Sequence, residues 1–452
     1  MIKAIKTLLL ILTLVFVALL SSCEIKIDPP IDDSEETSEN FVLSTRMSAL
    51  NDVFYDYDSE KTYENEELYS KLSLFSSSIF SLCSPYIKED NYCISPLSIY
   101  MAFSILHYIG DENVKKDVQE LLMMNEDDIN ESGKLFLRML YEKVFEDKLI
   151  SKLLLTNSIW LDVSCEANQI VLDELAEKFY CYAYKAPFYL DNKKANQDIR
   201  VFIKEKTNGL IDKDFELRDL TIFAIINTLY FKDMWKQGEV LEMSLRNFYK
   251  DSEVLQKVFL YSKYISGKVQ KEKDYSFFYT ITDSNYKLKF ILPNKESSLD
   301  ECLNSEIINY VNTFNEYENF ENEKKEMTRC IFPAFKVSSS TPLKDILEEN
   351  NYLPHAFVNY ESSLLKGSFY VSDIKHQVEL EVNDEGIEGA AVTIIASEKN
   401  GGLICDCIYN DFVINRGFIV LVTDIDDCIM FIGRIENPES DIDITNLVFV
   451  KE

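Results

Sequence analysis

Ten cysteines and three histidines carry most of the reactive side chains of this 452-residue chain, and their spacing excludes more chemistry than it supports. No C-x-x-C pair occurs, and His107, His355 and His376 stand far apart, so the spacing of a structural zinc site is missing. No G-x-S-x-G elbow, glycine-rich phosphate loop or H-E-x-x-H helix is present either. The chain is therefore expected to be no enzyme and to need no metal or cofactor. Most of the cysteines between Cys83 and Cys428 sit in apolar runs and read as small core residues. Cys405-Asp406-Cys407 stands apart, as a redox or metal spot or as two exposed loop residues.

Cys23 has another setting. Lys3 and Lys6 precede an apolar stretch over residues 7–20, too short to span a bilayer comfortably and right for a secretory signal. It ends in Leu20-Ser21-Ser22-Cys23, the shape of a bacterial lipobox, in which the cysteine is lipidated and becomes the new N-terminus. Ordinary signal cleavage near Ser22 is the alternative. One acyl chain holds a membrane only marginally, so a stable anchor takes several. Residues 24–65 are acidic and polar and read as a flexible tether. The expected organisation is a signal peptide over 1–22, a lipidated tether over 23–65, a folded domain over 66–440 and a tail over 441–452. The domain would sit outside the cytoplasm, held to a bacterial membrane or cell surface. A net charge of −31 repels phosphates and argues against nucleic-acid binding.

The elements that position these groups follow from periodicity. No repeat or Pro/Gly-rich linker divides residues 70–452, so one large domain is expected. Ser95 can cap a helix with Pro96 at its first position, and Gly110 suits its end. Residues 153–162 and 221–235 are apolar, β-branched and aromatic, and read as buried central strands. Residues 195–211 form an amphipathic helix stopped at Gly209. Residues 373–382 alternate strictly, with Ile374, His376, Val378, Leu380 and Val382 on one face. Two apolar runs, 418–424 and 428–435, predict a hairpin buried on both faces. Together these give an α+β fold with large sheets. One stretch does not fit: residues 381–402, EVNDEGIEGAAVTIIASEKNGG, carry β-prone residues at 392–395 in what reads as a long exposed loop.

These blocks, in this order, resemble the serpin family from about residue 70 to Pro438. ISPLSIYMAFSIL, NSIWLD, VFIKEKTNGLI, IINTLYFKDMW, KFILPN, FPAFKVSSSTPLKDIL, SFYVSDIKHQVELEVNDEG and GFIVLVTDIDDCIMFIGRIENP carry the resemblance. It implies three β-sheets, eight or nine helices and an exposed reactive-centre loop. It also implies a mechanism. A target serine protease, or a cysteine protease by the same trap, acylates itself on the loop. The loop then inserts into the main sheet as an extra strand and carries the protease away. The β-prone loop is thus a strand waiting for its sheet.

The resemblance assigns residues. The hinge is Glu385, Gly386, Ile387, Glu388, Gly389, Ala390, Ala391 and Thr393, with Ile387 where the family usually has Thr and Gly389 where it usually has Ala. Gly386 is expected to supply an unusual backbone conformation. After insertion Ile387, Gly389, Ala391, Thr393 and Ile395 would face inward. About ten ladder hydrogen bonds at ~0.5–1.5 kcal/mol each, with buried apolar area, make the gain on the order of 10 kcal/mol. Ser95, Ser98, Asn227 and His376 match the shutter that controls sheet opening, with Asn227 and the serines expected to partner the imidazole. Trp235 matches the tryptophan of the breach. Counting from the hinge puts the reactive bond at Asn400–Gly401, with Lys399 the alternative; counting back from NRGF, where Gly417 replaces the usual Pro, puts it near Cys405. The leading expectation is a lipid-anchored, monomeric inhibitor whose partner is a protease held as a covalent acyl complex. A non-inhibitory serpin acting as a binding or carrier module is the alternative; such members usually carry charged, Pro-rich or bulky hinges.

Overall fold

The computed structural model describes residues 66–130, 141–145, 148–213, 216–235, 242–250, 253–314, 326–372, 374, 376–387 and 408–438. All of them belong to one unit, Phe41–Glu452. Cys23, the loop positions Glu388, Gly389, Ala390, Ala391, Thr393, Ile395, Lys399, Asn400 and Gly401, and Cys405 and Cys407 lie outside the described residues.

Local chemistry sets the helix ends. Ser95 is the N-cap of the helix Pro96–Ile109, and the Ser98 N–H donates to its Oγ at 3.3 Å. The helix stops at Gly110, as expected, but Gly110 is extended (φ −77°, ψ 163°) and not left-handed. Its glycine is a matter of space: an added Cβ would lie 2.6 Å from Val114 Cγ1. Gly209, after the helix Asn192–Lys206, does take a left-handed backbone (φ +84°). Eight α-helices appear among the described residues, with three large sheets, giving the expected α+β architecture.

A six-stranded sheet is built around the hairpin of Phe418–Thr423 and Ile429–Ile435, flanked by Asn91–Ile94 and Lys287–Pro293. All residues of Phe418–Thr423 are buried, as a strand covered on both faces must be. A four-stranded sheet runs from Ile408–Val413 to Glu242–Lys250. The main sheet joins Phe335–Thr341, His376–Val382, the short hinge strand Gly386–Ile387, Phe223–Met234 and Lys148–Asp162. Phe223–Met234 and Lys148–Asp162 pair antiparallel from Leu161↔Phe223 to Ser151↔Asp233. Cys83, Cys93, Cys181, Cys302, Cys330 and Cys428 are buried free thiols, and Cys165 is partly buried. No helix among the described residues is long and apolar enough to cross a membrane.

Candidate functional site

Two strands of the main sheet, His376–Val382 and Phe223–Met234, part company beyond the hinge. His376–Val382 pairs along its length with Phe335–Thr341. Toward Phe223–Met234 it has only Val382, opposite Ile387. Gly386 and Ile387 in turn pair with Met234 and Asp233. Beyond these residues no ladder joins the two strands among the described residues. A cavity of about 130 Å³ occupies this slot, lined from both sides by Ile225, Asn227, Leu229, His376 and Val378.

The hinge turn at the head of the slot is pinned by one asparagine. Asn383 Oδ1 accepts from the Glu385 N–H at 2.9 Å and the Gly386 N–H at 3.2 Å, and the Asn383 N–H donates to Gly386 O at 3.0 Å. Trp235 packs under this turn, 5% exposed. Its indole N–H donates to Asn383 O at 2.8 Å, and its backbone N–H donates to Glu385 O at 2.8 Å. Its ring lies 5.4 Å from that of Phe332. Gly386 corrects one expectation. Its backbone is not left-handed; what it needs is room, because an added Cβ would fall 2.1 Å from Asp233 O and 2.7 Å from Met234 Cα. Ile387 beside it is wholly buried.

Further down the slot the four polar residues come together in part. The Ser95 N–H donates to His376 Nε2 at 2.9 Å, and the Ser95 hydroxyl donates to Ser98 Oγ at 3.2 Å. Accepting through Nε2 makes the imidazole neutral, and burial holds its pKa down at about 4. Asn227 does not reach the imidazole. Its Nδ2 donates instead to Asn157 Oδ1 at 2.6 Å, and Asn157 Nδ2 donates to Phe179 O at 2.7 Å. With two strands held apart by the slot, Asn227 turns toward its ladder partner Asn157. Its Oδ1 is left buried with no hydrogen bond among the described residues. Such an orphan asks for a donor.

Asn383, Asn157 and Asp233 escaped the sequence reading. Asn-Asp before Glu-Gly is a turn signature that flags Asn383 by its chemistry alone. An Asn or Asp inside an apolar strand carries no sign of which neighbour satisfies it.

A family model described as Serpin (serine protease inhibitor) matches residues 70–438. Human antithrombin-III is 26% identical over 381 residues, covering 77% of this chain and 77% of its own. Human serpin I2 is 24% identical over 364 residues, covering 78% of this chain and 87% of its own. An uncharacterized serpin-like protein of Methanosarcina acetivorans is 24% identical over 370 residues, covering 78% and 82%. Among solved structures, the thermophilic serpin tengpin in its native state matches with a TM-score of 0.66 at 22% identity, over 84% of this chain and 96% of its own. Human thyroxine-binding globulin complexed with its hormone matches with a TM-score of 0.68 at 18% identity, over 82% and 100%. At these identities the structures speak for the fold alone.

Proposed function

This chain belongs to the serpin family, and from that premise we propose that it is a lipid-anchored, extracytoplasmic suicide inhibitor of serine endopeptidases, working by insertion of its reactive-centre loop into the main sheet. Cysteine endopeptidases fall to the same trap. Members of the family are in general protease inhibitors and not enzymes, and some are non-inhibitory. The observation that carries the inhibitory reading is the slot, filled at its head by the single strand Gly386–Ile387 and without a ladder below it among the described residues.

The two registers at the head of the slot say where an inserted loop would run. Six steps beyond Ile387 along the Phe223–Met234 ladder bring Thr393 opposite Asn227; six steps along the His376–Val382 ladder bring it opposite His376. The hydroxyl of that inward-facing position would meet the orphaned Asn227 Oδ1. Further on, the Phe223–Met234 ladder would bring Asn400, the counted cut residue, opposite Leu220, three residues past the strand's end. The slot and the hinge-to-cut distance therefore match in length. The inward positions Ile387, Gly389, Ala391 and Ile395 are small or apolar, and Thr393 is the polar one among them.

Mixing the protein with trypsin-like and chymotrypsin-like proteases tests the reading. A covalent complex that survives denaturant is expected, with a released C-terminal fragment beginning at residue 400 or 401. Cleavage of the loop by every protease tried, with no such complex, would establish the non-inhibitory alternative. The anchor has its own test: Cys23→Ala should move the protein from the membrane to the soluble fraction, and an unchanged partition rejects Cys23 as the attachment point.

A further inference from the structure

The carboxylate of Asp233 has no role in the insertion scheme, yet it sits where the hinge meets the sheet. It is wholly buried. In its two ladders it stands opposite Ser151 on one side and Ile387 on the other. It accepts hydrogen bonds from the Ser284 N–H at 3.0 Å and the Ser284 hydroxyl at 3.1 Å. Among the described residues no cation pairs with it. A buried carboxylate without a counter-ion is costly in its charged form, and burial pushes its pKa up.

The neighbouring charges point elsewhere. Lys232 and Lys152 are the residues next to Asp233 and Ser151 in their strands, so alternation turns both to the opposite face. Lys232 lies within the field of Glu385. Lys263 donates to Ile281 O at 2.6 Å and faces the Trp235 ring. On the turn that carries Ser284, Asp283 is bound to Met234 O through its N–H. On the hinge turn, Asp384 is exposed and Glu385 partly so.

What covers Asp233 decides how well its charge is tolerated. Lys148–Asp162 covers one edge of its strand with a continuous ladder. The other edge is covered at this height by Gly386–Ile387 alone. Directly opposed ladder residues share a face, with Cβ atoms about 5 Å apart. With Ile387 seated, a branched hydrocarbon therefore stands on the same face beside Asp233, across from its Ser284 donors; with Ile387 withdrawn, that edge of the strand opens on the slot and its water. We infer that Asp233 is a positioning residue for the hinge: seating of Ile387 and uptake of a solvent proton by the Asp233 carboxylate favour each other, so mild acid draws the hinge into the sheet and neutral pH loosens it. The coupling is reciprocal, and each pH unit by which seating shifts proton affinity is a tenfold factor in the hinge equilibrium. The inference rests on the reading that this hinge moves, and needs no protease.

Trp235 reports hinge position, because its indole N–H donates to Asn383 O in the hinge turn. The chain has two tryptophans, so Trp160→Phe leaves Trp235 as the sole reporter. In the uncleaved full-length protein, its emission followed from pH 8 to pH 4.5 should show a transition that Asp233→Asn removes. Ser284→Ala deletes one donor to the charged carboxylate, so it should keep the transition and raise its midpoint by about one unit. A transition that survives Asp233→Asn, a folded parent without one, or a midpoint that Ser284→Ala leaves in place or lowers would each overturn the inference. Trapping of protease is read separately, so its failure and this one are told apart.

Discussion

Phe418–Thr423 pairs with Ile429–Ile435 on one side and Lys287–Pro293 on the other, and every one of its residues is buried. His376–Val382 pairs along its length on one side only, and on the other it meets a single hinge residue before the slot begins. Both strands pack apolar side chains on the same core, Phe418–Thr423 from both faces and His376–Val382 from one. The difference is completion. Phe418–Thr423 has a ladder on each edge, whereas beyond the hinge strand His376–Val382 and Phe223–Met234 share none among the described residues; on the proposed insertion an added strand would gain about ten backbone hydrogen bonds there, on the order of 10 kcal/mol. Under the proposed insertion mechanism, one fold holds a finished strand pairing as scaffold and an unfinished sheet as a reservoir of free energy.

The largest effect that would break this contrast is insertion itself. Cleavage within residues 388–407 should raise the melting temperature by ~10 °C or more, as a gain on the order of 10 kcal/mol implies for a domain of this size. Thr393→Arg places a charge at the polar centre of the slot, so it should abolish both this rise and the denaturant-stable complex while leaving the loop cleavable. Melting curves before and after cleavage, with gel analysis of the protease mixture, decide it; a full rise in the Arg variant would mean that the slot is not where the loop goes.

Next in size is damage to the finished sheet. Phe418 packs edge-on against Phe290 and Phe335, at centroid distances of 5.8 Å for each. Phe418→Ala should cost ~3–5 kcal/mol in the cleaved and uncleaved forms alike. Denaturant titration of both forms checks this. A loss confined to one form would show that the hairpin sheet takes part in the transition.

The slot side should also be the acid-sensitive side. His376 carries a pKa of about 4 in the folded protein, below its ordinary 6.5, because burial disfavours the charged ring. A base held neutral by folding takes its proton later than in the unfolded chain. Its contribution is therefore intact above about pH 6.5, erodes as pH falls, and is gone below about pH 4, a loss of roughly 3 kcal/mol. His376→Gln keeps an acceptor for the Ser95 N–H and should flatten melting temperature against pH across that window. An equally steep profile in the variant would move the acid sensitivity to another group. Smallest is Ser95→Ala, which removes the cap to the Ser98 N–H for ~1 kcal/mol. Since the Ser95 bond to His376 comes from the backbone, the acid profile should keep its shape; a flattened one would show that the hydroxyl, and not the N–H, sets the imidazole's state.

Much of this was legible in the chain. The cap at Ser95, the alternation around His376 and the two apolar runs of the C-terminal hairpin are local patterns, and backbone periodicity turns them directly into a helix, a one-faced strand and a buried hairpin. The ordered family blocks added the topology that no single period could supply. The slot was not legible, because a missing ladder between two strands far apart in sequence leaves no trace in either strand's composition. For the same reason the partner of His376 was misjudged: a polar side chain takes whichever neighbour the open or closed sheet brings near, and here the slot gives Asn227 to Asn157. Gly386 makes the point at one atom. The sequence demanded a glycine at the hinge, but only the approach of the Asp233 carbonyl, 2.1 Å from where a Cβ would stand, decided that the demand is for space and not for a left-handed turn.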